Sequence, residues 1–313
     1  MNILSMSGFV PEQICDTVRF TQYFGQRNIA SYCGYASDFI SQVMGDQNID
    51  GAVYPKSCDS SRIIGSYLEM CGKFLHQINV PAGTDHAAVM FFAEEIRRYQ
   101  QQIEKHYHTA INNIGERIVL LNRRNREICE IYDDLDTLDY YAYIENIHKN
   151  LQRPLCEQTV GDRLRQVHRT GKRVFVTGSF LSGIEIARII EDRGLKIVGD
   201  DLPESGRLCS FPETKDTGDV YLNISENIMG RRLSPTQDHF NRILEADLAE
   251  IKRKEAKGVI MVIQKCCEPY EYLYSIYKAY LEAQDIPVLK ISLLHSEDTQ
   301  KAELQIEAFA DII

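Results

Sequence analysis

The chain lacks the features that mark several large classes of proteins. No apolar run approaches the ~18 residues that a membrane span needs, and no Gly-x-x-x-x-Gly-Lys-Ser/Thr sequence is present to bind a nucleotide phosphate. Positive charge is scarce, since 35 Lys and Arg face 45 Asp and Glu and leave a net charge of −10. These absences argue against a membrane-spanning protein, a Walker-type ATPase and a nucleic-acid binder, whose surface would be basic.

The nine cysteines of the chain follow no cationic and apolar leader segment. This usage favours a reducing, cytoplasmic location and thiol chemistry over a disulfide scaffold. Cys129 and Cys156 lie outside any predicted strand end and are interpreted as structural. With 313 residues, of which 44% are hydrophobic and 26% charged, the chain is long enough to bury a sizeable core and to divide into two domains.

The stretch around which the chain is organised is residues 258–270, Gly-Val-Ile-Met-Val-Ile-Gln-Lys-Cys-Cys-Glu-Pro-Tyr. Its β-branched run is typical of a strand buried on both faces of a parallel sheet, and Pro269 predicts the start of a helix. In open α/β sheets, ligands bind at the carboxyl ends of the strands. Thiols placed there, beside a lysine and a helix N-terminus, have the setting that lowers a thiol pKa and prepares it for a metal. A pair of half-buried structural cysteines is the plain alternative.

The same strand-to-cysteine-to-helix pattern occurs twice more. A predicted strand at 50–55 leads into 56–62 (Lys-Ser-Cys-Asp-Ser-Ser-Arg), and one at 28–32 leads into Cys33. Spacings of 25 and 209 residues between the thiols match no local zinc signature. A fold that brings three strand ends to one crevice would unite the thiols, and three thiolates suit an iron–sulfur cluster with one iron site left open.

These segments resemble the family of 2-hydroxyacyl-CoA dehydratase and benzoyl-CoA reductase subunits. The family pattern is found in residues 11–14 (Pro-Glu-Gln-Ile), 56–62, 178–179 (Gly-Ser), 198–201 with Arg207, 265–270, 286–289 and 305–309. The resemblance implies that Cys33, Cys58 and Cys267 hold a [4Fe-4S] cluster. Cys266 stands where the family usually has an aromatic residue, so we interpret it as a neighbour, and Cys209 has no aligned counterpart. Family members usually carry several tens more residues before the first ligand cysteine.

The resemblance also implies a chemistry and a set of partners. Family enzymes deliver one low-potential electron to an acyl-CoA and form a ketyl radical, from which a 2-hydroxyl leaves or reduction of an aromatic ring begins. The implied partners are a homologous second subunit, an ATP-hydrolysing iron–sulfur activator protein and the acyl-CoA substrate. Lys56 and Lys265 would supply positive charge near the cluster, whereas Asp59 and Glu268 would fix the loops that carry the thiols.

Three other interpretations stay open at this point. One is a related reductase of small molecules that holds a double-cubane iron–sulfur cluster. Another is a non-catalytic partner subunit, in which the cluster relays electrons or stabilises the assembly. A third is a structural zinc protein, because thiolates are also common zinc ligands.

The alternation of strand and helix patterns predicts an α/β fold. We expect two small Rossmann-like parallel-sheet domains joined by a helical segment, with the cluster in the interdomain cleft. Residues 1–110 would carry Cys33 and Cys58, residues 111–170 would form the helical connection, and residues 171–313 would carry Cys267. Within this plan the patterns predict a helix from Pro11 to about residue 25, a loop-rich stretch at 208–227 and a long helix at 236–257.

Two further charged pairs could serve the chemistry. Asp200 and Asp201 follow a predicted strand and could act as acid and base or cap the next turn, with Arg207 near enough in sequence to neutralise one of them. Arg231 and Arg232 could meet the phosphates of coenzyme A or an acidic partner, although a solvated basic turn is the default interpretation.

The turn at 178–183 could bind a phosphate or carbonyl group through its backbone N–H groups, but its spacing matches no nucleotide-binding fingerprint.

Overall fold

Eight strands in the described part of the chain form two sheets that are parallel throughout. The computed structural model describes residues 2–6, 8–19, 33–158, 170–179, 185–209, 212–231, 234–237, 240–293 and 298–313. The first sheet has the order β2-β1-β3-β4 and the second β6-β5-β7-β8. The strands are β1 (Ile3–Ser5), β2 (Thr17–Arg19), β3 (Gly51–Lys56), β4 (Phe74–Asn79), β5 (Lys172–Gly178), β6 (Leu195–Asp201), β7 (Gly258–Gln264) and β8 (Val288–Leu293). The predicted α/β fold with two Rossmann-like parallel sheets is confirmed.

Helices connect the strands and cover the sheets. They are α1 (Gly34–Gly45), α2 (Asp59–Leu68), α3 (His86–Tyr107), α4 (Ile114–Asp133), α5 (Tyr140–Leu151), α6 (Glu185–Asp192), α7 (Gly206–Cys209), α8 (Val220–Gly230), α9 (Phe240–Arg253), α10 (Glu268–Glu282) and α11 (Asp298–Ile312). Short 3-10 turns occur at Glu69–Cys71, Leu135–Thr137 and Leu155–Glu157. Among the helices described, none has the length and apolar character needed to cross a membrane.

Strand β7 lies inside the second sheet, between β5 and β8, and every one of its seven residues is buried. Its side chains alternate between two cores. Ile260 and Val262 pack in the core under α5, α6 and α11, while Met261 packs in the core under α9 and α10. A strand covered by helices on both faces must be apolar at every position, which explains the unbroken hydrophobic run in the sequence.

Two helices join the cores of the first and second sheets. Helix α4 places Ile118 in the core of the first sheet and Ile128 in that of the second. Helix α8 follows the second sheet's β6 along the chain, yet its Ile224 and Ile228 pack in the core of the first sheet. The division of the chain at residues 110 and 170 stays a prediction.

Several predicted elements differ from the structure. The helix expected from Pro11 is wrong for residues 11–19, because Ile14 N closes a turn on Pro11 O and β2 then pairs with β1. The loop expected at 208–227 is wrong at both ends, where the last residues of α7 and most of α8 lie, whereas residues 212–219 form neither helix nor strand. Helix α9 is shorter than the predicted helix at 236–257, and Glu255, in a left-handed conformation with φ of 51°, lies beyond its end. The strand predicted at 28–32 lies outside the described residues.

Candidate metal centre

Three cysteines each stand at the N-cap of a helix. Cys33 precedes α1, Cys58 precedes α2 and Cys267 precedes α10, which has Pro269 in its first turn. The first turn of a helix has N–H groups without intrahelical acceptors and carries a partial positive charge, so it stabilises an anion placed beside it. A helix start is therefore a favourable place for a negatively charged metal ligand.

The three sulfur-bearing side chains line a single pocket with a cavity volume of about 90 Å³. Cys58 arrives from the carboxyl end of β3 in the first sheet, and Cys267 from that of β7 in the second. The pocket thus lies where the carboxyl ends of the two parallel sheets face each other, as expected for a ligand site in this kind of fold. Its wall also includes Met6, Phe9, Tyr35, Pro55, Pro203 and Tyr270.

Cys33 and Cys267 form a hydrogen-bonded pair of sulfurs. The thiol of Cys267 donates to Cys33, and the backbone N–H groups of Ala36 and Tyr35 donate to it as well, so the pKa of Cys33 falls below its usual value despite burial. The pKa of Cys267 rises well above its usual value because of this same bond and its burial, and the nearby Cys58 raises it further. The sulfurs of Cys33 and Cys267 are therefore in contact, and Cys58 lies near enough for its charge to act on Cys267.

The Cys58 loop is fixed by Ser61. The Ser61 hydroxyl accepts from the backbone N–H of Cys58 at 3.0 Å and of Ser57 at 3.1 Å, and it donates to the carbonyl oxygen of Cys58 at 2.8 Å. Ser61 N–H in turn donates to the Cys58 side chain, which completes a capping box. The serine-rich segment after Cys58 therefore holds the thiol in place, a role that the sequence analysis did not assign.

A glycine at the end of β5 brings a serine into the same pocket. Gly178 has φ of 138°, and a Cβ atom there would lie 1.9 Å from Val262 O, so no other residue fits. The next residue, Ser179, donates its N–H to Val262 O at 3.1 Å, and its hydroxyl accepts from Gln264 N at 3.0 Å. The pair 178–179 therefore ties β5 to β7 beside the thiols, while residues 180–183 of the predicted turn lie outside the described part.

The two predicted acid–base candidates have structural partners. Asp201 forms a fully buried ion pair with Arg207 at 2.8 Å, as the sequence suggested, and Arg207 donates to the hydroxyl of Tyr270 at 2.8 Å. Because Tyr270 lines the thiol pocket, Asp201 supports one wall of it from behind. Arg207 is therefore a positioning residue for that wall.

Asp200 is a buried acceptor that organises the turn after β6. One carboxylate oxygen accepts from the backbone N–H of Leu202 at 3.0 Å and of Gly206 at 2.9 Å. The other accepts from the hydroxyls of Ser205 at 2.7 Å and Tyr140 at 2.8 Å. Burial raises the pKa of Asp200 to about 6, although these bonds oppose the rise. Asp200 does not line the thiol pocket, so the turn-capping interpretation describes it best.

The four charged neighbours of the thiols are exposed and do not line the pocket. They are Lys56, Asp59, Lys265 and Glu268. Asp59 forms an exposed ion pair with Arg62 at 3.4 Å. Their expected influence on a cluster stays a prediction. Because these side chains are exposed, their charges would act on a cluster through solvent and not by direct contact. Cys266 is also exposed, with a left-handed φ of 66°.

One pair of cysteines is bonded, although the cysteine usage of the chain favours thiol chemistry over a disulfide scaffold. Cys129 of α4 and Cys209 of α7 form a disulfide, because the packing of these helices brings their Cα atoms to 5.2 Å. Cys15, Cys71 and Cys156 are free, and Cys15 is buried against the hydroxyl of Tyr99 at 3.2 Å. None of these five lines the thiol pocket.

The donor set of this pocket is three cysteine sulfurs in mostly apolar surroundings. In the described ranges, no group of three or more His, Cys, Asp and Glu side chains is arranged to hold one metal ion. A cubane cluster offers separate iron corners, so its thiolates need not converge on one point. Thiolates at the ends of three helices, in a mostly apolar pocket, are ligands of the kind that iron–sulfur clusters use.

The geometry defines a class, an α/β protein in which the strand ends of two parallel sheets enclose a three-thiol pocket. The family model of the 2-hydroxyglutaryl-CoA dehydratase D-component matches residues 3–313, and the chain belongs to this family. The resemblance inferred from the sequence motifs is thereby confirmed.

Two characterised relatives are beta subunits of dehydratases. The chain is 27% identical over 146 residues to the (R)-phenyllactyl-CoA dehydratase beta subunit of Clostridium sporogenes, a match that covers 46% of this chain and 38% of that protein. It is 27% identical over 146 residues to subunit beta of the (R)-2-hydroxyglutaryl-CoA dehydratase of Acidaminococcus fermentans, with 45% and 38% covered. The chain thus spans well under half the length of the curated relatives it matches.

Proposed function

We propose that this chain is the iron–sulfur subunit of a 2-hydroxyacyl-CoA dehydratase or benzoyl-CoA reductase-type enzyme, with a [4Fe-4S] cluster held by Cys33, Cys58 and Cys267. One observation carries the proposal: thiols 25 and 209 residues apart in the sequence line a single pocket, each at a helix start. Three protein ligands leave one iron corner of a cubane without a thiolate.

The residues of the chain prepare this site before any cofactor enters. The hydrogen bond from Cys267 and the N–H groups of Ala36 and Tyr35 at the start of α1 stabilise negative charge on the sulfur of Cys33, which lowers its pKa despite burial. Phe9 and Tyr270 form aromatic parts of the pocket wall, and Arg207 holds the Tyr270 hydroxyl in place. When bound, the cluster would supply a low-potential electron and an iron Lewis acid for the carbonyl of an acyl-CoA thioester.

The partners in this proposal follow from the family. They are a homologous second subunit, an ATP-hydrolysing iron–sulfur activator and an acyl-CoA. Both relatives are named as beta subunits, which supports a heteromer. The chain has no Walker-type sequence, so an ATP-dependent step in the cycle would fall to the activator.

Iron analysis after anaerobic purification tests the ligand set. We expect about four iron and four sulfide ions for each chain, as in one cubane. Cys33→Ala, Cys58→Ala and Cys267→Ala should each lose most of the iron, whereas Cys266→Ala should keep it. Cys266 is a matched control, because it adjoins a proposed ligand but is exposed. Equal iron loss in Cys266→Ala and Cys267→Ala, or full retention in the three ligand variants, would contradict the proposal.

Turnover tests the chemistry separately. The chain, its second subunit, activator, ATP and a strong reductant would be assayed without oxygen on (R)-phenyllactyl-CoA, (R)-2-hydroxyglutaryl-CoA and benzoyl-CoA. Loss of water from a 2-hydroxyacyl-CoA supports dehydration. Unchanged turnover in Cys58→Ala would instead favour a non-catalytic electron-relay or structural subunit, and twice the iron content would favour a double-cubane reductase.

A further inference from the structure

A second, smaller cavity lies beside the thiol pocket and is lined by more positive than negative side chains. Three arginines and one glutamate line it: Arg19 of β2, Arg124 of α4, Arg231 after α8, and Glu12. Gly8 lines both this cavity and the thiol pocket. The interpretation of Arg231 as part of a solvated basic turn is therefore wrong, whereas Arg232 lies outside the described residues.

The carboxylate of Glu12 already forms ion pairs with two of the three guanidinium groups. Glu12 binds Arg19 Nη2 through one oxygen at 2.6 Å and Arg124 Nη1 through the other at 2.6 Å. Arg231 donates one Nη2 hydrogen bond to the neutral amide oxygen of Asn227. The four charged residues that line the cavity thus leave an excess of two positive charges.

Two donors at this site have no acceptor. The Nε atoms of Arg19 and Arg231 are both buried, and neither has a hydrogen-bond partner among the described residues. Arg19 is only 7% exposed. Burial, together with repulsion from Arg124 and Arg19, lowers the pKa of Arg231 to about 10. Unpaired donors on buried cations are costly, and natural proteins rarely keep them without an acceptor.

The nearest other acids do not supply that acceptor. Glu204 feels the charge of Arg19, but its carboxylate pairs with His148 at 3.3 Å. Asp16 pairs with Arg117 at 2.8 Å. Neither acid lines the cavity.

We infer that this cavity binds a small monovalent anion of the size of chloride, which accepts from Arg19 and Arg231 beside Arg124. The cavity volume is about 10 Å³, which is room for roughly one water-sized sphere. A space of this size favours a small anion over a phosphate or a CoA phosphoryl group. This site is independent of the proposed cluster and goes beyond the dehydratase function.

Thermal unfolding of the full chain, kept reduced and anaerobic, provides the test. Sodium gluconate would be replaced stepwise by sodium chloride at constant ionic strength, because gluconate is too large to enter. We expect the unfolding midpoint to rise by about 2 °C or more and then to level off, as for a ligand that binds the folded state at one site.

Arg231→Gln removes the cation that does not pair with Glu12. Its midpoint in gluconate should stay within about 1 °C of the wild-type value or rise, since a buried excess charge is lost, and its response to chloride should disappear. Arg123→Gln is the matched control, because Arg123 lies next to Arg124 on α4 but is half exposed. This control should respond to chloride like the wild type.

A direct measurement covers the case in which Arg231→Gln does not fold. The chloride-35 resonance should broaden in the presence of wild-type protein, and bromide should reverse the broadening. Absence of both broadening and a saturable midpoint shift would overturn the inference, as would an unchanged chloride response in Arg231→Gln. An equal shift with phosphate would contradict the size of the site.

Discussion

Replacing Glu12 by glutamine tests how strongly the arginine cluster depends on one carboxylate. Glutamine resembles the protonated acid in shape and removes the negative charge that faces Arg19 and Arg124. Burial alone would raise the pKa of Glu12, but Arg124 and Arg19 outweigh burial and bring it from 4.5 down to about 2. The charged form is therefore the one that the folded protein stabilises.

The magnitude follows from this change in acidity. Lowering the pKa of Glu12 from 4.5 to about 2 corresponds to about 3 kcal/mol of stability at neutral pH. A difference of one in pKa is worth about 1.4 kcal/mol. A carboxyl whose pKa is lower in the folded protein contributes this stability at pH values above its pKa in the unfolded chain. The contribution is lost as the pH falls from about 4.5 towards 2, and at pH 3 about 1 kcal/mol should remain.

Urea unfolding of wild type and Glu12→Gln at pH 7, 5, 4 and 3 measures the effect. The difference in unfolding free energy should be about 3 kcal/mol at pH 7 and should shrink steadily below pH 4.5. Glu213→Gln is the control, because Glu213 forms an exposed pair with Arg126 at 2.7 Å and should cost at most about 1 kcal/mol. A difference that does not depend on pH, or equal losses in the two variants, would refute the reasoning.

Two further substitutions and one thiol count probe other parts of the molecule. Gly178→Ala places a Cβ atom against Val262 O, so it should lower the unfolding free energy by roughly 3 kcal/mol or more and reduce the iron content of the purified protein, both measured against wild type. Because burial raises the pKa of Asp200 from 3.8 to about 6, its contribution to stability falls as the pH rises between these values, and Asp200→Asn should flatten that part of a urea-unfolding profile. Since Cys129 and Cys209 are paired, unfolded protein without reductant should show seven reactive thiols of nine, and a count of nine would contradict the disulfide.

The sequence predicted the thiol pocket because each part of the signal is local. A β-branched run predicts a buried strand, Pro269 predicts a helix start, and the thiol between them must lie at a strand end. The parallel topology then places such ends on one edge of each sheet. Local patterns alone do not determine how the two sheets face each other, because this depends on contacts between distant segments; the expected interdomain cleft rested on the family resemblance.

Other parts of the fold had weaker local signals or none. Strands β1 and β2 have three residues each and are stable only through pairing within the sheet, so no periodicity could predict them. Helix α8 had a detectable start, because Asp219 caps it by accepting from Tyr221 N and Leu222 N, and its apolar residues recur at four-residue spacing. The burial of the Arg231 Nε atom could not be foreseen, since arginine at a helix end is usually solvated.

The placement of α8 has a consequence for how the protein is made. Its residues Ile224, Ile228 and Met229 belong to the core of the first sheet but are translated long after β4. During translation, the core of the first sheet therefore stays incomplete until about residue 230 has left the ribosomal exit tunnel. The second sheet needs residues up to β8, so both cores should reach their final packing late in synthesis.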